Sequence, residues 1–259
     1  MTHTPPHVTL VGAGPGDPEL LTLKAIKAIA SATVLLVDDL VGDAITGYAS
    51  PSARIIHVGK RGGCQSTPQA FIEKLMLQEA MAGENVVRLK GGDPFIFGRG
   101  GEEVAHLRAQ GVNVTVVNGI TAGLAGATSL GVPLTHRSYA HGVLFITGHA
   151  KHDATDAVDW AGLSRTAAQA KLTLVIYMGM HGAAQLQAAL LQGLCAHTPV
   201  AVIQNASLPT QRHVVCTLDE LHHTVVRDKL ASPSVIIVGD VLLGLMQLEQ
   251  SPQRLVAAG

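Results

Sequence analysis

Short runs of β-branched and other apolar residues recur along the chain, and most are separated by segments with the apolar spacing of an amphipathic helix. The first run, VTLVG, occupies residues 8–12, and a helical pattern follows it over residues 19–32. Four further runs in the first half lie at 33–38, 54–58, 86–90 and 114–118, each followed by a loop that contains glycine or proline. Because a helix is the usual crossover between parallel strands, this alternation predicts an α/β domain with a parallel sheet.

A second series of runs begins after Pro133, at 143–148, 172–178, 199–203, 213–217 and 234–239. The composition changes through LTHRSYAHG, and we place the domain boundary within that stretch. This predicts an N-terminal α/β domain over residues 1–138 and a C-terminal α/β domain over residues 139–259. The expected fold class is α/β, with mainly parallel sheets in both domains and a cofactor cleft between them, where small-molecule sites are common.

The charge balance argues against a protein whose main partner is nucleic acid or a membrane. The formal net charge is −1 and the isoelectric point is about 6.9, so the chain has no global basic field. The longest apolar stretch, SVIIVGDVLLGLM, is interrupted by Asp240 and is too short to span a bilayer. The first residues show no secretory signal, and the three cysteines lack a CxxC pair. These features predict a cytoplasmic protein without a nucleic-acid or membrane partner.

The chain contains thirteen histidines, which raises the hypothesis of a metal site. His149 and His152 are three residues apart, and His222 is next to His223. No cysteine or acidic cluster completes a tetrahedral set around either pair. We therefore expect no metal.

Glycine-containing loops follow the five runs of the first half, and they read GAGPGD, DDLVG, GKRGG, GGDPFIFGRGG and GITAG. In open parallel sheets a ligand binds beyond the carboxyl ends of the strands, so these loops should line one site. GAGPGD follows a strand and precedes a helix, as a dinucleotide-binding loop does, and a dinucleotide-binding oxidoreductase is one alternative function. Asp17, however, stands where that motif has its third glycine, and its charge opposes a phosphate at a helix N-terminus. A nucleoside without a phosphate fits better, with glycine backbone against the base and Asp93 near the ribose hydroxyls.

The segments VTLVGAGPGDPELLTLKA, GKRGG, VVRLKGGDPFIFGRGGEE, NGITAG with VPLTHR, and TGHAK together resemble the tetrapyrrole methylase family. The resemblance runs from about residue 8 to residue 240 and is strongest to the members that act on uroporphyrinogen III. It implies a two-domain α/β enzyme, usually a homodimer, that binds S-adenosyl-L-methionine and releases S-adenosyl-L-homocysteine. The implied reaction is methylation of uroporphyrinogen III at C2 and C7 to give precorrin-2, the entry to sirohaem and cobalamin. Two alternatives stay open, a methyltransferase acting on a later precorrin intermediate and a non-catalytic ligand sensor of the same fold.

By the same resemblance, the catalytic pair falls on Asp38 as proton acceptor and Lys60 as proton donor. The implied cofactor-binding residues come from both halves of the chain and are Pro15, Gly91, Gly92, Asp93, Ile96, Thr121, Ala122, Met178 and Ala206. The chemistry suits these residue types, because a sulfonium methyl is already a strong electrophile and the protein mainly aligns the reactants and manages protons. Lys60 would act as an acid or as a cation that holds an acetate group, and the sequence does not separate these roles.

A substrate with many carboxylates requires cations near the site. Such residues lie in and beside the site loops, namely Lys60, Arg61, Arg88, Lys90, Arg99 and Arg137. An ion pair at about 4 Å gains roughly 4 kcal/mol at an effective dielectric constant of 20, against roughly 1 kcal/mol in water. Arginine is the better bidentate partner for a carboxylate, so we predict Arg88 and Arg99 as substrate contacts. The alternative for Arg88 is an ion pair with Glu102 or Glu103.

Overall fold

The computed structural model of the protein describes residues 5–59, 68–148 and 158–245. Contacts between residues divide the chain into two units, Met1–Ala122 and Gly123–Gly259. Each unit has its own five-stranded sheet and its own helices, which confirms the α/β class. Within the described ranges, no helix combines the length and the apolar character needed to cross a bilayer.

The first unit is built on a sheet of five strands that all run parallel. These strands are β1 (His7–Gly12), β2 (Val34–Val37), β3 (Arg54–His57), β4 (Val86–Lys90) and β5 (Asn113–Val117), and they lie in the order β3-β2-β4-β1-β5. The helices are α1 (Leu23–Ser31), α2 (Asp43–Thr46), α3 (Gln69–Met81) and α4 (Gly100–Ala109), preceded by a 3₁₀ helix over Pro18–Leu20. The parallel sheet predicted for this half is therefore confirmed.

Both faces of this sheet are buried, and successive residues of the central strands face opposite sides. Leu35 of β2 packs in one core with Ile29 of α1. Leu36, the next residue, packs in a second core with Met76 of α3. Burial on both faces explains why these strands are continuous apolar runs. Polar chemistry is therefore left to the loops at the strand ends.

Polar side chains mark where the first helical segments begin. The Asp17 carboxylate accepts a hydrogen bond from the Glu19 amide at 2.9 Å, and Pro18 begins the 3₁₀ helix. Thr22 accepts from the Ala25 amide at 3.1 Å and caps α1. Proline at a first helical position costs no hydrogen bond, because that N–H has no helical partner. The Asp17 carboxylate thus occupies the helical N-terminus that a dinucleotide phosphate would need.

The sheet of the second unit is mixed, in contrast to the mainly parallel sheet expected. Its strands are β6 (Gly142–Thr147), β7 (Leu172–Tyr177), β8 (Pro199–Gln204), β9 (Arg212–Thr217) and β10 (Ser234–Val238), in the order β6-β7-β10-β8-β9. Strands β6 and β7 pair in parallel, and the other three pairings are antiparallel. Residues 205–211, which join β8 to β9, are too few for the crossover of about a dozen residues that parallel neighbours need. Runs of apolar residues predict strands but carry no information on their direction.

The helices of this part of the chain are α5 (Ala122–Ser129), α6 (Trp160–Ala170), α7 (Ala183–Leu190) and α8 (Leu221–Arg227), with 3₁₀ helices at Leu218–Glu220 and Asp240–Leu242. Helix α5 explains why the division by contacts falls after residue 122 and not after residue 138. The Gly123 amide donates a hydrogen bond to the Tyr177 hydroxyl at 2.8 Å. A Cβ placed on Gly126 would lie 3.6 Å from the Ala206 side chain. The helix therefore packs with the second sheet, and the composition change after Pro133 marks only the approach to β6.

Candidate active site

Three loops of the first unit meet with their backbones in close contact, beyond the carboxyl ends of β1, β4 and β5. Gly14 and Gly92 exchange two hydrogen bonds, at 3.2 Å from the Gly14 amide and 2.7 Å from the Gly92 amide. A side chain at Gly12 would overlap the backbone nitrogen of Gly119 and would lie against the Gly92 carbonyl. Glycine is therefore required where GAGPGD, GGDPF and NGITAG interlock.

Asp93 lies at the centre of these loops, and 7% of its surface is exposed. One carboxylate oxygen, Oδ1, accepts from the Phe95 amide at 2.8 Å. The other, Oδ2, accepts from the Gly119 amide at 3.1 Å and from Asn118 Nδ2 at 3.2 Å. Asp93 therefore joins the loop after β4 to the loop after β5, in addition to its predicted role toward a cofactor. Hydrogen bonds to a carboxylate are among the stronger ones in proteins.

The loop from Gly92 to Arg99 is conformationally strained and carries apolar side chains on its surface. Gly92, Phe97 and Arg99 have φ angles of 67°, 55° and 57°, in the left-handed region. For residues other than glycine, this conformation costs about 1–3 kcal/mol and is commonest at functional sites. Phe95 is 54% exposed and Ile96 is 36% exposed. The loop thus presents apolar side chains on its surface beside the half-buried backbone of Gly91 and Gly92.

The other predicted cofactor residues of the first unit lie in, or directly after, the loops that meet at Gly92. Thr121 is 6% exposed, and a Cβ on Gly92 would lie 3.7 Å from its Cα atom. Pro15 follows Gly14, which pairs with Gly92, and is half-buried. Gly91 directly precedes Gly92, and Ala122 begins α5 as a half-buried residue. The first unit therefore gathers these positions from three separate loops.

The two predicted cofactor residues of the second half lie at one edge of the second sheet. Met178 follows β7 and Ala206 follows β8; both strands are antiparallel to β10, so they run in the same direction. Met178 has a φ of 57° and is 48% exposed. Ala206 is buried between Asn205 and Ser207, whose φ angles are 53° and 68°. The left-handed φ angles in both loops are typical of binding sites. The Ala206 side chain is buried and faces α5, so only its backbone is available to a ligand.

A group of charged side chains is buried directly beneath Asp38. Arg88 and Lys90 are two residues apart on β4, and Glu103 lies in the first turn of α4; they are 2%, 3% and 0% exposed. Arg88 Nε lies 3.4 Å from Glu103 Oε1, and Lys90 Nζ donates to the same oxygen at 3.1 Å. The Arg88 Nη2 atom lies 3.8 Å from Oδ2 of Asp38, whose side chain is 34% exposed. Burial lowers the pKa of Lys90, and the neighbouring Arg88 charge lowers it further.

The cationic side chains predicted to contact the substrate or donate a proton lie in different environments. Arg88 is buried against protein groups, so its geometry does not support direct substrate contact, and the alternative ion pair with Glu103 is confirmed. Arg99 is exposed and pairs with Glu102, with Nη2 to Oε2 at 2.6 Å and Nε to Oε1 at 3.0 Å. That hydrogen bond raises the pKa of Arg99. Lys60, the predicted proton donor, lies outside the described residues.

The histidine pairs give no metal centre in the part of the chain that the structure describes. No group of three or more His, Cys, Asp or Glu side chains is arranged there to hold an ion. His222 and His223 are exposed on α8, and His149 and His152 lie outside the described ranges.

Three residues matter to the site although the sequence analysis gave them no role in it, and Glu103 was named only as an alternative partner of Arg88. Asn118 holds Asp93, Tyr177 holds the start of α5, and Glu103 neutralises buried cations. A signal existed only for Glu103. Two cations on one face of a strand with apolar neighbours require a buried acid, and Glu103 is among the nearest acids along the chain. Asn118 and Tyr177 act on partners far away in sequence, so no local pattern indicates them.

These features define a class of α/β protein whose ligand loops lie beyond a parallel sheet and interlock through glycine around a buried acid. A family model described as Tetrapyrrole (Corrin/Porphyrin) Methylases matches residues 7–222. The chain belongs to this family, as its loops had indicated.

Individual relatives are similar over nearly the whole chain. A uroporphyrinogen-III C-methyltransferase of Pseudomonas aeruginosa is 52% identical over 235 residues, which cover 90% of this chain and 93% of the relative. A protein of the same name from Bacillus subtilis is 43% identical over 236 residues, covering 91% of this chain and 90% of the relative. Among solved structures, a uroporphyrin-III C-methyl transferase from Thermus thermophilus complexed with S-adenyl homocysteine matches with a TM-score of 0.77 and 39% identity, covering 92% of this chain and 99% of that one.

Proposed function

We propose that the protein transfers methyl groups from S-adenosyl-L-methionine to C2 and C7 of uroporphyrinogen III, giving precorrin-2 and two molecules of S-adenosyl-L-homocysteine. The observation that carries this proposal is the set of interlocked glycine loops around Asp93. They occur in a chain 52% identical to a uroporphyrinogen-III C-methyltransferase of Pseudomonas aeruginosa. The Thermus thermophilus relative, complexed with S-adenyl homocysteine, supports the same cofactor.

The residues of the first unit fit a nucleoside that lacks a phosphate. Gly91 and Gly92 present backbone without side chains, next to the buried Thr121. Ile96 adds half-exposed apolar surface. The Asp17 carboxylate caps the helical segment after β1, which opposes the phosphates of a dinucleotide and removes support for an oxidoreductase.

The cofactor would be held by residues of both halves of the chain, namely Pro15, Gly91, Gly92, Asp93, Ile96, Thr121, Ala122, Met178 and Ala206. When bound, it supplies an electrophilic methyl group. The reaction would require this methyl beside a ring carbon, and a protein group to accept the proton that the carbon loses.

Asp38 is the proposed proton acceptor. Its carboxylate follows β2, is one-third exposed, and is oriented through both oxygens. Oδ1 accepts from the Asp39 amide at 3.2 Å, and Oδ2 faces Arg88 at 3.8 Å. A base held in this way can take the proton without first reorienting. We propose Lys60 as the proton donor and the exposed Arg99 as a contact for a substrate carboxylate.

The test is transfer of label from methyl-labelled S-adenosyl-L-methionine to uroporphyrinogen III under anaerobic conditions. We expect two labelled methyl groups per macrocycle and a product with the absorption spectrum of precorrin-2. A reaction without protein serves as the control for non-enzymatic transfer. Labelling of a later precorrin with none of uroporphyrinogen III would instead favour the alternative acceptor, and binding of the cofactor without any transfer would favour a sensor.

We also propose that the enzyme is a cytoplasmic homodimer without a nucleic-acid partner. The near-neutral charge balance supports the absence of nucleic acid. Light scattering of the purified protein would measure the oligomeric state, and a mass of about 27 kDa would contradict the dimer.

A further inference from the structure

The burial of charged side chains beneath Asp38 is unfavourable to the free energy of folding. Among the described residues, the ionisable side chains of arginine, lysine, aspartate and glutamate that are buried are Arg88, Lys90, Asp93 and Glu103. Moving an ionised group out of water carries a large desolvation penalty, and an apolar substitute for a buried ion pair is often as stable or more stable. Asp93 is explained by the loops that it joins. The other three are not explained by stability.

The Arg88 guanidinium is held in one orientation by protein contacts. Its Nε atom lies 3.4 Å from Glu103 Oε1, and its Nη1 atom donates to the Leu89 carbonyl at 3.0 Å. Glu103 is itself fixed, because the same Oε1 accepts from Gln69 Nε2 and from Lys90 Nζ, each at 3.1 Å. Because protein groups contact both Nε and Nη1, the planar guanidinium directs its third nitrogen, Nη2, toward Asp38 Oδ2 at a distance of 3.8 Å.

The backbone ties Asp38 to the same strand. Its amide donates to the Leu89 carbonyl at 3.2 Å, so Leu89 accepts hydrogen bonds from both Asp38 and Arg88. Strands β2 and β4 are parallel neighbours in which Val37 is paired with Leu89. Contacts with residues of β4 thus position both the main chain and the carboxylate of Asp38.

We propose that Arg88 is a positioning residue, which Glu103 holds in place so that it orients the Asp38 carboxylate toward the substrate. This inference rests on the proposed role of Asp38 as the proton acceptor. It replaces direct substrate contact as the function of Arg88. Lys90 also donates to the Glu103 carboxylate, so Glu103 is paired with both cations and not with Arg88 alone.

The inference is tested by a double-mutant cycle between Arg88→Met and Asp38→Asn, measured in the steady state. If Arg88 acts through Asp38, Arg88→Met lowers kcat about 100-fold in the wild-type background and has little further effect beside Asp38→Asn. The KM for uroporphyrinogen III and the Kd for S-adenosyl-L-homocysteine, measured by calorimetry, should each change less than about 3-fold. Arg88→Lys keeps the charge without the fork and should recover only part of kcat.

The control is Arg54→Met, which removes an arginine of the same unit that is exposed and paired with Glu79; it should leave kcat unchanged. Arg88→Met leaves Glu103 paired with Lys90, so the variant should still fold, and its melting curve is measured to check this. A rise in KM at unchanged kcat, or a loss that adds fully to that of Asp38→Asn, would overturn the positioning role alone. Full activity of Asp38→Asn, or no methyl transfer by the wild type, would overturn the proposed function first and this inference with it.

Discussion

The carboxylate of Asp93 accepts a hydrogen bond from the backbone amide of Gly119 at 3.1 Å, and this bond joins loops that leave two different strands. The joined strands, β4 and β5, lie on either side of β1 in the sheet. A single buried acid therefore holds the GGDPF and NGITAG loops at a constant separation. The proposed cofactor would bind to surfaces whose spacing depends on this side chain together with the backbone contacts of Gly12, Gly92 and Gly119.

Replacing Asp93 by asparagine should weaken cofactor binding. The NH2 group of asparagine would face either the Phe95 amide or the amides of Gly119 and Asn118, so at least one hydrogen bond is lost. We expect the Kd for S-adenosyl-L-homocysteine to rise at least about 10-fold and the free energy of unfolding to fall by about 1–3 kcal/mol. Calorimetry and denaturant titration measure these changes. Asp43→Asn, at an exposed position of α2, is the matched control, and equal effects in the two variants would contradict the role of Asp93.

Replacing Asp38 by asparagine should separate chemistry from binding. The side chain keeps its size but cannot accept the proton, so kcat should fall by about 100- to 10,000-fold. The Kd for S-adenosyl-L-homocysteine should stay within about 3-fold, because none of the hydrogen bonds between the glycine loops involves Asp38 in the described residues. Steady-state methyl transfer gives kcat, and calorimetry gives the Kd. Normal turnover would show that another group takes the proton.

Gly12→Ala should disrupt the interlocked loops, although it adds a single methyl group. That methyl would overlap the Gly119 backbone, which cannot move without breaking the bond to Asp93. We expect a loss of about 1–3 kcal/mol in the free energy of unfolding, together with weaker cofactor binding. Gly42→Ala is the control, because a Cβ there meets no atom within 4 Å and the φ of −78° suits any residue. Similar melting temperatures for the two variants would be inconsistent with the steric argument.

The thiol of Cys216 should be unreactive in the folded protein at pH 8. Burial raises its pKa to about 11, from a usual value of 9.0, so almost no thiolate is present. Cys195 is exposed and should react with Ellman's reagent under the same conditions. The raised pKa means that the thiol contributes stability in full below pH 9, and that this contribution is lost as the pH rises through about 11. In a protein with Cys64 and Cys195 replaced by alanine, labelling at pH 8 before denaturation would refute the prediction.

Local properties of the sequence determined the elements of this protein. All ten apolar runs coincide with strands, within about one residue at each end. The interlocking glycines and Asp93 could be singled out because glycine clusters and acids after strands are visible in short segments. These predictions succeed because strand propensity and backbone freedom depend on a residue and its near neighbours in the chain.

Only the tertiary structure decided which residues meet across the sheets. It decided the direction of three strand pairings in the second sheet, the packing of α5 with that sheet, and the burial of Arg88 between Asp38 and Glu103. Each depends on contacts between residues that are distant along the chain. An arginine in a loop-flanking strand has the same local sequence whether it faces a substrate or a buried carboxylate, and the free energy that separates these outcomes comes from the partner that folding brings to it.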